Sequence, residues 1–142
     1  MSEYSFDNIG LLQRNRTIEG ETGTELGLEG GITLIVLAAT DANPRWKAVS
    51  EEVGRHLTKL ANARAPAEEV RRFLAGIYAK TLVKGWRGVK SAGVEIPFSV
   101  EACTAFLLQA EDAYAAVYGI VYDTKNFRGA RIEAIAAEAG NG

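Results

Sequence analysis

The sequence predicts a mainly α-helical fold: four to five helices in a compact bundle, with a small N-terminal β-hairpin. Two observations support this prediction. Apolar residues recur every three to four positions in several segments, which is the period of a helix with one buried face. Asn43-Pro44, Pro66 and Ser99 each stand just before such a segment, where they can start a helix. With 142 residues, 47% of them hydrophobic, the chain can bury one such core.

The first part of the chain predicts an arm and then a hairpin. Residues 1–23 are mostly polar, and we expect them to form an N-terminal arm. Residues 24–142 are expected to form a single helical domain. It begins with a β-hairpin over residues 24–38, because Glu29-Gly30-Gly31 separates two short runs of strand-forming residues.

Two helices are expected after the hairpin. Because only a short link separates them, they should pack against each other as an antiparallel pair. Their apolar stripes consist of Trp46, Val49, Val53, Leu57 and Leu60 in the first helix, and Val70, Phe73, Leu74, Ile77, Thr81 and Leu82 in the second. Gly85 is the expected stop signal after the second helix.

The remaining helices are less regular. Ser99 is a candidate N-cap for a third helix, and Asp112 is one for a fourth, with a single bent helix as the alternative. The residues expected to face inward from the fourth helix are Tyr114, Val117, Tyr118, Val121 and Tyr122. A weak C-terminal helix is expected over residues 128–139, where Ile132 and Ile135 are the only large apolar residues.

The chain offers few groups for catalysis or metal binding. His56 and Cys103 are the only residues of their types, too few for a metal site built from histidine and cysteine. His56 is interpreted as a structural histidine at the edge of a helical stripe, and Cys103 as a small core residue. We therefore expect no catalytic residues, no metal and no cofactor, and a protein that is not an enzyme.

Charge and hydropathy narrow the choice of partner. The formal net charge is -2, and no apolar run approaches the roughly 18 residues of a membrane helix, so we expect a soluble protein. Residues 64–90 carry seven bases and two acids, whereas residues 91–124 carry five acids and no base. We favour pairing of these blocks, within the fold or between subunits of a homo-oligomer, over nucleic-acid binding.

The segment KGWRGVKSAGVEIPFS, residues 84–99, joins the second and third helices. The order NPRW, TLVKGWRGV, EIPFSVE and YDTKNF, spread over about residues 24–128, resembles the tail assembly chaperones of long-tailed bacteriophages. The matching residues are Asn43, Pro44 and Trp46, then Trp86, Gly88 and Val89, then Pro97, Phe98 and Ser99, and more loosely Asn126 and Phe127.

This resemblance implies a non-catalytic chaperone in the host bacterial cytoplasm. Such a protein binds the tape measure protein before the tail tube closes around it, and helps to recruit tail tube subunits. Trp46, Trp86 and Phe98 are the candidate partner-binding residues, because aromatic side chains dominate protein interfaces. For Trp86 and Phe98 we favour a structural clasp, with a partner-binding role as the alternative, and Trp46 is open to the same two interpretations. The alternative function is a neck or tail completion protein that stays in the phage particle.

Overall fold

The computed structural model describes residues 4–128. Four helices dominate it, and their bounds are α1 (Pro44–Asn62), α2 (Ala67–Thr81), α3 (Val100–Gln109) and α4 (Glu111–Val121). The strands are β1 (Thr24–Gly27), β2 (Thr33–Val36), β3 (Val83–Arg87), β4 (Lys90–Ser91) and β5 (Val94–Glu95). The described part is therefore mainly α-helical with a small antiparallel sheet. Beyond Arg128, the expected helix over residues 128–139 lies outside the described residues.

The expected hairpin is part of a larger sheet. β1 and β2 pair antiparallel, with Thr24 opposite Val36. β3 then adds to the free edge of β2, with Trp86 opposite Leu34. This third strand was not expected, because the apolar stripe of the second helix continues into it. The helix ends at Thr81, before the expected stop at Gly85, since Val83 and the residues after it gain a pairing partner in β2.

One buried side chain joins the hairpin to α1 and α2. The Asn43 side-chain oxygen accepts hydrogen bonds from the amides of Arg45 and Trp46 at 3.1 and 3.3 Å, so Asn43 caps α1 as expected. Its amide nitrogen donates to the carbonyls of Ala38 at 3.1 Å and Thr81 at 2.9 Å. The start of α1 thus lies beside the end of α2, and the two helices run antiparallel.

The later helices are separate. The Ser99 hydroxyl accepts from the Ala102 amide at 3.0 Å and caps α3 as expected. Ala110, with φ of -99° and ψ of 83°, leaves the helical region and divides α3 from α4. The expected cap at Asp112 is wrong, because the break comes two residues earlier and no side chain caps α4.

The core lies between the inner face of the sheet and helices α2, α3 and α4. Its largest fully buried side chains include Tyr78, Phe127, Leu34, Leu82 and Leu107. The expected inward position of two tyrosines is wrong: Tyr118 is 55% exposed and Tyr122 is 47% exposed. Val117 and Val121 take the inner positions of α4. Because successive residues on a helix point about 100° apart, the tyrosines that follow them point away from the core.

The later half of residues 1–23 contacts this domain. Glu19 is completely buried, and its carbonyl accepts a hydrogen bond from the Ala38 amide at 2.8 Å. Lys84 donates through Nζ to the carbonyl of Glu21 at 2.7 Å. Tyr4 and Phe6, nearer the N-terminus, are largely exposed.

Candidate partner-binding surface

Three aromatic side chains form a continuous surface between α1 and α4. The Trp46 ring meets the Tyr122 ring edge-on, with centroids 6.1 Å apart. Tyr118 meets Tyr122 in the same way at 5.5 Å. Tyr118 and Tyr122 are exposed and Trp46 is half-buried. We call Trp46, Tyr118 and Tyr122 the aromatic patch, and its composition is typical of protein–protein contact sites.

A buried tyrosine holds the patch in place. The hydroxyls of Tyr78 and Tyr122 lie 2.9 Å apart, within hydrogen-bond distance, and Tyr78 is completely buried. The Tyr114 ring stacks on Tyr78 with centroids 5.6 Å apart. Burial raises the pKa of Tyr78, Tyr114 and Tyr122 above the ordinary value of 10.0, so all three are neutral at physiological pH. Tyr122 of the patch is therefore both uncharged and anchored from below.

Trp86 and Phe98, the other two candidate partner-binding residues, contact each other. The Trp86 ring lies edge-on to Phe98 at 5.3 Å and to Phe106 at 5.5 Å. Its Nε1 donates to the Ile96 carbonyl at 2.8 Å, and both Trp86 and Phe98 are half-buried. We call Trp86, Phe98 and Phe106 the aromatic clasp, since they join β3 to α3. A partner-binding role for Trp86 and Phe98 stays a prediction.

A single glycine shapes the turn after Trp86. Gly88 has a φ of 82°, whereas Gly85, on the other side of Trp86, lies in β3 and has no positive φ. A Cβ on Gly88 would collide with the Gly31 carbonyl oxygen. Backbone from the β1–β2 turn therefore lies directly against this position.

The two candidate catalytic side chains lie in different surroundings. Burial raises the pKa of the Cys103 thiol to about 12, which leaves it protonated at physiological pH. His56 is exposed on α1, and its ring lies 4.2 Å from that of Phe73. Among residues 4–128, no group of three or more His, Cys, Asp or Glu side chains could hold a metal ion. None of the helices in that range combines the length and apolar character needed to cross a membrane.

Within the described residues, three of the seven bases of residues 64–90 form ion pairs with acidic side chains. Arg71 pairs with Glu68 on the same helix at 3.1 Å and donates to the Leu108 carbonyl at 2.9 Å. Arg87 pairs with Glu25 across the sheet at 2.9 Å. These contacts differ from the expected pairing with acids of residues 91–124, since Glu68 and Glu25 precede that block.

A second charged cluster ties residues 14–19 to the domain. Arg14 forms an ion pair with the buried Glu19 at 2.6 Å, and Thr40 donates to the same carboxylate at 2.8 Å. Burial by itself would raise the pKa of Glu19, but these bonds outweigh it and hold the pKa below 4.5. Asp41 bonds Arg16 at 3.0 Å and Arg14 at 3.3 Å, which lowers the pKa of its carboxyl below 3.8.

Sequence reasoning singled out Trp46 but missed the two tyrosines as surface residues. Tyr114, Tyr118 and Tyr122 recur every four residues and form one stripe along α4 and its C-cap, Tyr122. Val117 and Val121 form a second stripe beside it. Only one of two stripes on a short helix can face the core. The sequence therefore indicated that one stripe is exposed, but not which one.

Comparison with known proteins assigns a family. The model of the YdaY prophage protein family matches residues 41–138, which is more than half of the chain. The chain belongs to this family of prophage proteins. Neither the curated proteins nor the solved structures gave a match.

Proposed function

We propose that this prophage protein is a non-catalytic chaperone of phage tail assembly. It binds the tape measure protein and helps to recruit tail tube subunits in the host bacterial cytoplasm. Membership of a prophage family and the resemblance to tail assembly chaperones support the proposal. The observation that carries it is the aromatic patch, in which neighbouring rings remain exposed on a folded domain.

The patch suits a client that presents many similar apolar sites. Tyrosine and tryptophan offer large contact areas with few rotatable bonds, so little entropy is lost on binding. The hydrogen bond between the Tyr78 and Tyr122 hydroxyls keeps Tyr122 in place before the client arrives. Because Trp46 has no ionisable group and Tyr122 is neutral, an apolar helix can cover these two rings without the cost of burying a charge.

A non-catalytic role agrees with the chemistry of the two rare side chains. Cys103 is buried and protonated, so it lacks the thiolate needed for nucleophilic attack. The exposed His56 packs against an apolar ring, and no nearby carboxylate hydrogen-bonds it within the described residues.

Co-expression with the tape measure protein of the same prophage tests the proposal. The tagged complex is isolated by affinity purification and its mass is measured by light scattering after size exclusion. We expect several copies of this chain on each soluble tape measure protein. Tyr118→Ser should weaken the complex, whereas Phe6→Ser, which removes a similarly exposed ring outside the patch, should not. Equal effects of the two substitutions would contradict a role for the patch.

The alternative, a structural neck or tail completion protein, makes a different prediction for purified particles. A chaperone is released before the particle is complete and is absent from it. A structural component is present in a fixed ratio to the tail proteins. Quantitative mass spectrometry of purified particles distinguishes the two.

A further inference from the structure

A basic groove runs between α1 and α2, apart from the residues of the aromatic patch. Its volume is about 430 Å³. The apolar part consists of Val49 and Val53 from α1 and Phe73 and Ile77 from α2. Of these four side chains only Val53 is buried, and the other three are half-buried. The chain itself therefore leaves part of this apolar surface uncovered.

Helix α1 is also less buried than α2. Of the 19 residues of α1, only Val53 and Leu60 are buried, whereas five of the 15 residues of α2 are. The stripe expected to bury α1 is complete in the sequence, but Val49 and Leu57 remain half-buried. One side of α1 thus has more apolar surface than α2 alone covers.

The exposed side chains around the groove are mainly basic. Arg55 and Lys59 line it from α1, and Lys80 lines it from α2, against Glu52 as the single acid. Arg55 is 4.0 Å from the exposed carboxylate of Glu51, a weak pair. Within residues 4–128, neither Lys59 nor Lys80 has a carboxylate within ion-pair distance.

We propose that this groove binds an acidic amphipathic α-helix of a partner protein. Val49 and Val53 form a ridge of residues four apart on α1, and Phe73 and Ile77 form another on α2. Two such ridges leave a channel that accepts the apolar ridge of a third helix. Acidic residues beside that ridge would face Lys59 and Lys80 and would satisfy charges that the chain leaves unpaired.

The dimensions set the length of the occupant. From Val49 to Lys59 the groove follows ten residues of α1, or about 15 Å at 1.5 Å per residue. A bound helix therefore makes contact over about three turns. Single-stranded nucleic acid fits less well, because Phe73 is the only lining aromatic ring other than His56, and these two rings already contact each other.

Two labelled peptides test the proposal, and neither depends on any tail protein. Each is stapled into a helix of about four turns with one leucine stripe. The acidic peptide carries glutamates beside the stripe, and its counterpart carries lysines at the same positions. Fluorescence anisotropy should show that the acidic peptide binds the full chain and the lysine peptide does not. Rising salt concentration should weaken the binding.

Matched variants locate the site. Lys59→Gln with Lys80→Gln removes one base of the groove from each helix, and should weaken binding about tenfold or more. Lys47→Gln with Arg72→Gln removes one base from each helix outside the groove lining, and should leave the affinity unchanged. Circular dichroism should show that both variants fold.

Several results would overturn the proposal. Equal affinity for the two peptides would show that the basic residues of the groove do not select an acidic helix. Equal affinity of the two double variants would move the site elsewhere. If a single-stranded oligonucleotide bound instead, and lost affinity in the groove variant, the partner would be nucleic acid. A dimer that light scattering detects for the wild type and not for the groove variant would make a second copy the occupant.

Discussion

Replacing Gly88 by alanine tests how the turn after Trp86 is held against the β1–β2 turn. Gly88 has a φ of 82°, a region in which an L-residue costs about 1–2 kcal/mol. The added Cβ would also collide with the Gly31 carbonyl oxygen and lie 3.3 Å from the Ile32 Cα. Since these are backbone atoms, the two turns must move apart. We expect Gly88→Ala to lower the free energy of unfolding by about 3 kcal/mol.

Gly93 provides a matched control. Its φ is 79°, but a Cβ there would have no neighbouring atom within 4 Å. Gly93→Ala should therefore lose only the conformational contribution, about 1–2 kcal/mol. Both variants are compared with the wild type by urea denaturation, followed by circular dichroism. If the two variants lost the same stability, the close approach between Gly88 and the β1–β2 turn would contribute nothing, and our account of this turn would be refuted.

Three further predictions concern single side chains. Tyr122→Phe removes the hydroxyl that bonds the buried Tyr78 hydroxyl and should lower the free energy of unfolding by about 1 kcal/mol. Tyr118 is exposed, so Tyr118→Phe should change this free energy little, and urea denaturation compares the two variants. Because the pKa of Glu19 is lowered in the folded state, its carboxylate stabilises the fold above pH 4.5, and this stabilisation is lost as the pH falls through the folded-state pKa. In acid titrations between pH 5 and 3, Glu19→Gln should therefore lose less stability than the wild type. Ala92 has a φ of 51°, so Ala92→Asn should raise the thermal midpoint by relieving about 0.5–1 kcal/mol, and an unchanged midpoint would contradict strain at this position.

The sequence predicted features that depend on neighbouring residues. Asn43 and Ser99 were predicted as helix caps, because a cap bonds amides within the next three residues. The β1–β2 pair was likewise predicted from a local Gly-Gly signal. The helical class of the fold followed from the period of the apolar residues.

Features that depend on distant contacts were missed. β3 forms because Trp86 and its neighbours pair with β2, and nothing local separates that strand from the end of a helical stripe. The burial of Glu19 depends on Arg14 and Thr40, which come from different segments. For the aromatic patch, only Trp46 was predicted as a surface candidate, because the choice between the valine and tyrosine stripes of α4 depends on how α4 packs on the core.

In the function that we propose, the exposed aromatic patch lets this prophage protein hold a tape measure protein in solution. The most direct measurement is the soluble fraction of that protein after co-expression with the wild type, with Tyr118→Ser and with Phe6→Ser. We predict that the wild type and Phe6→Ser keep it soluble and that Tyr118→Ser does not. If the tape measure protein were equally insoluble with all three chains, the account would be contradicted.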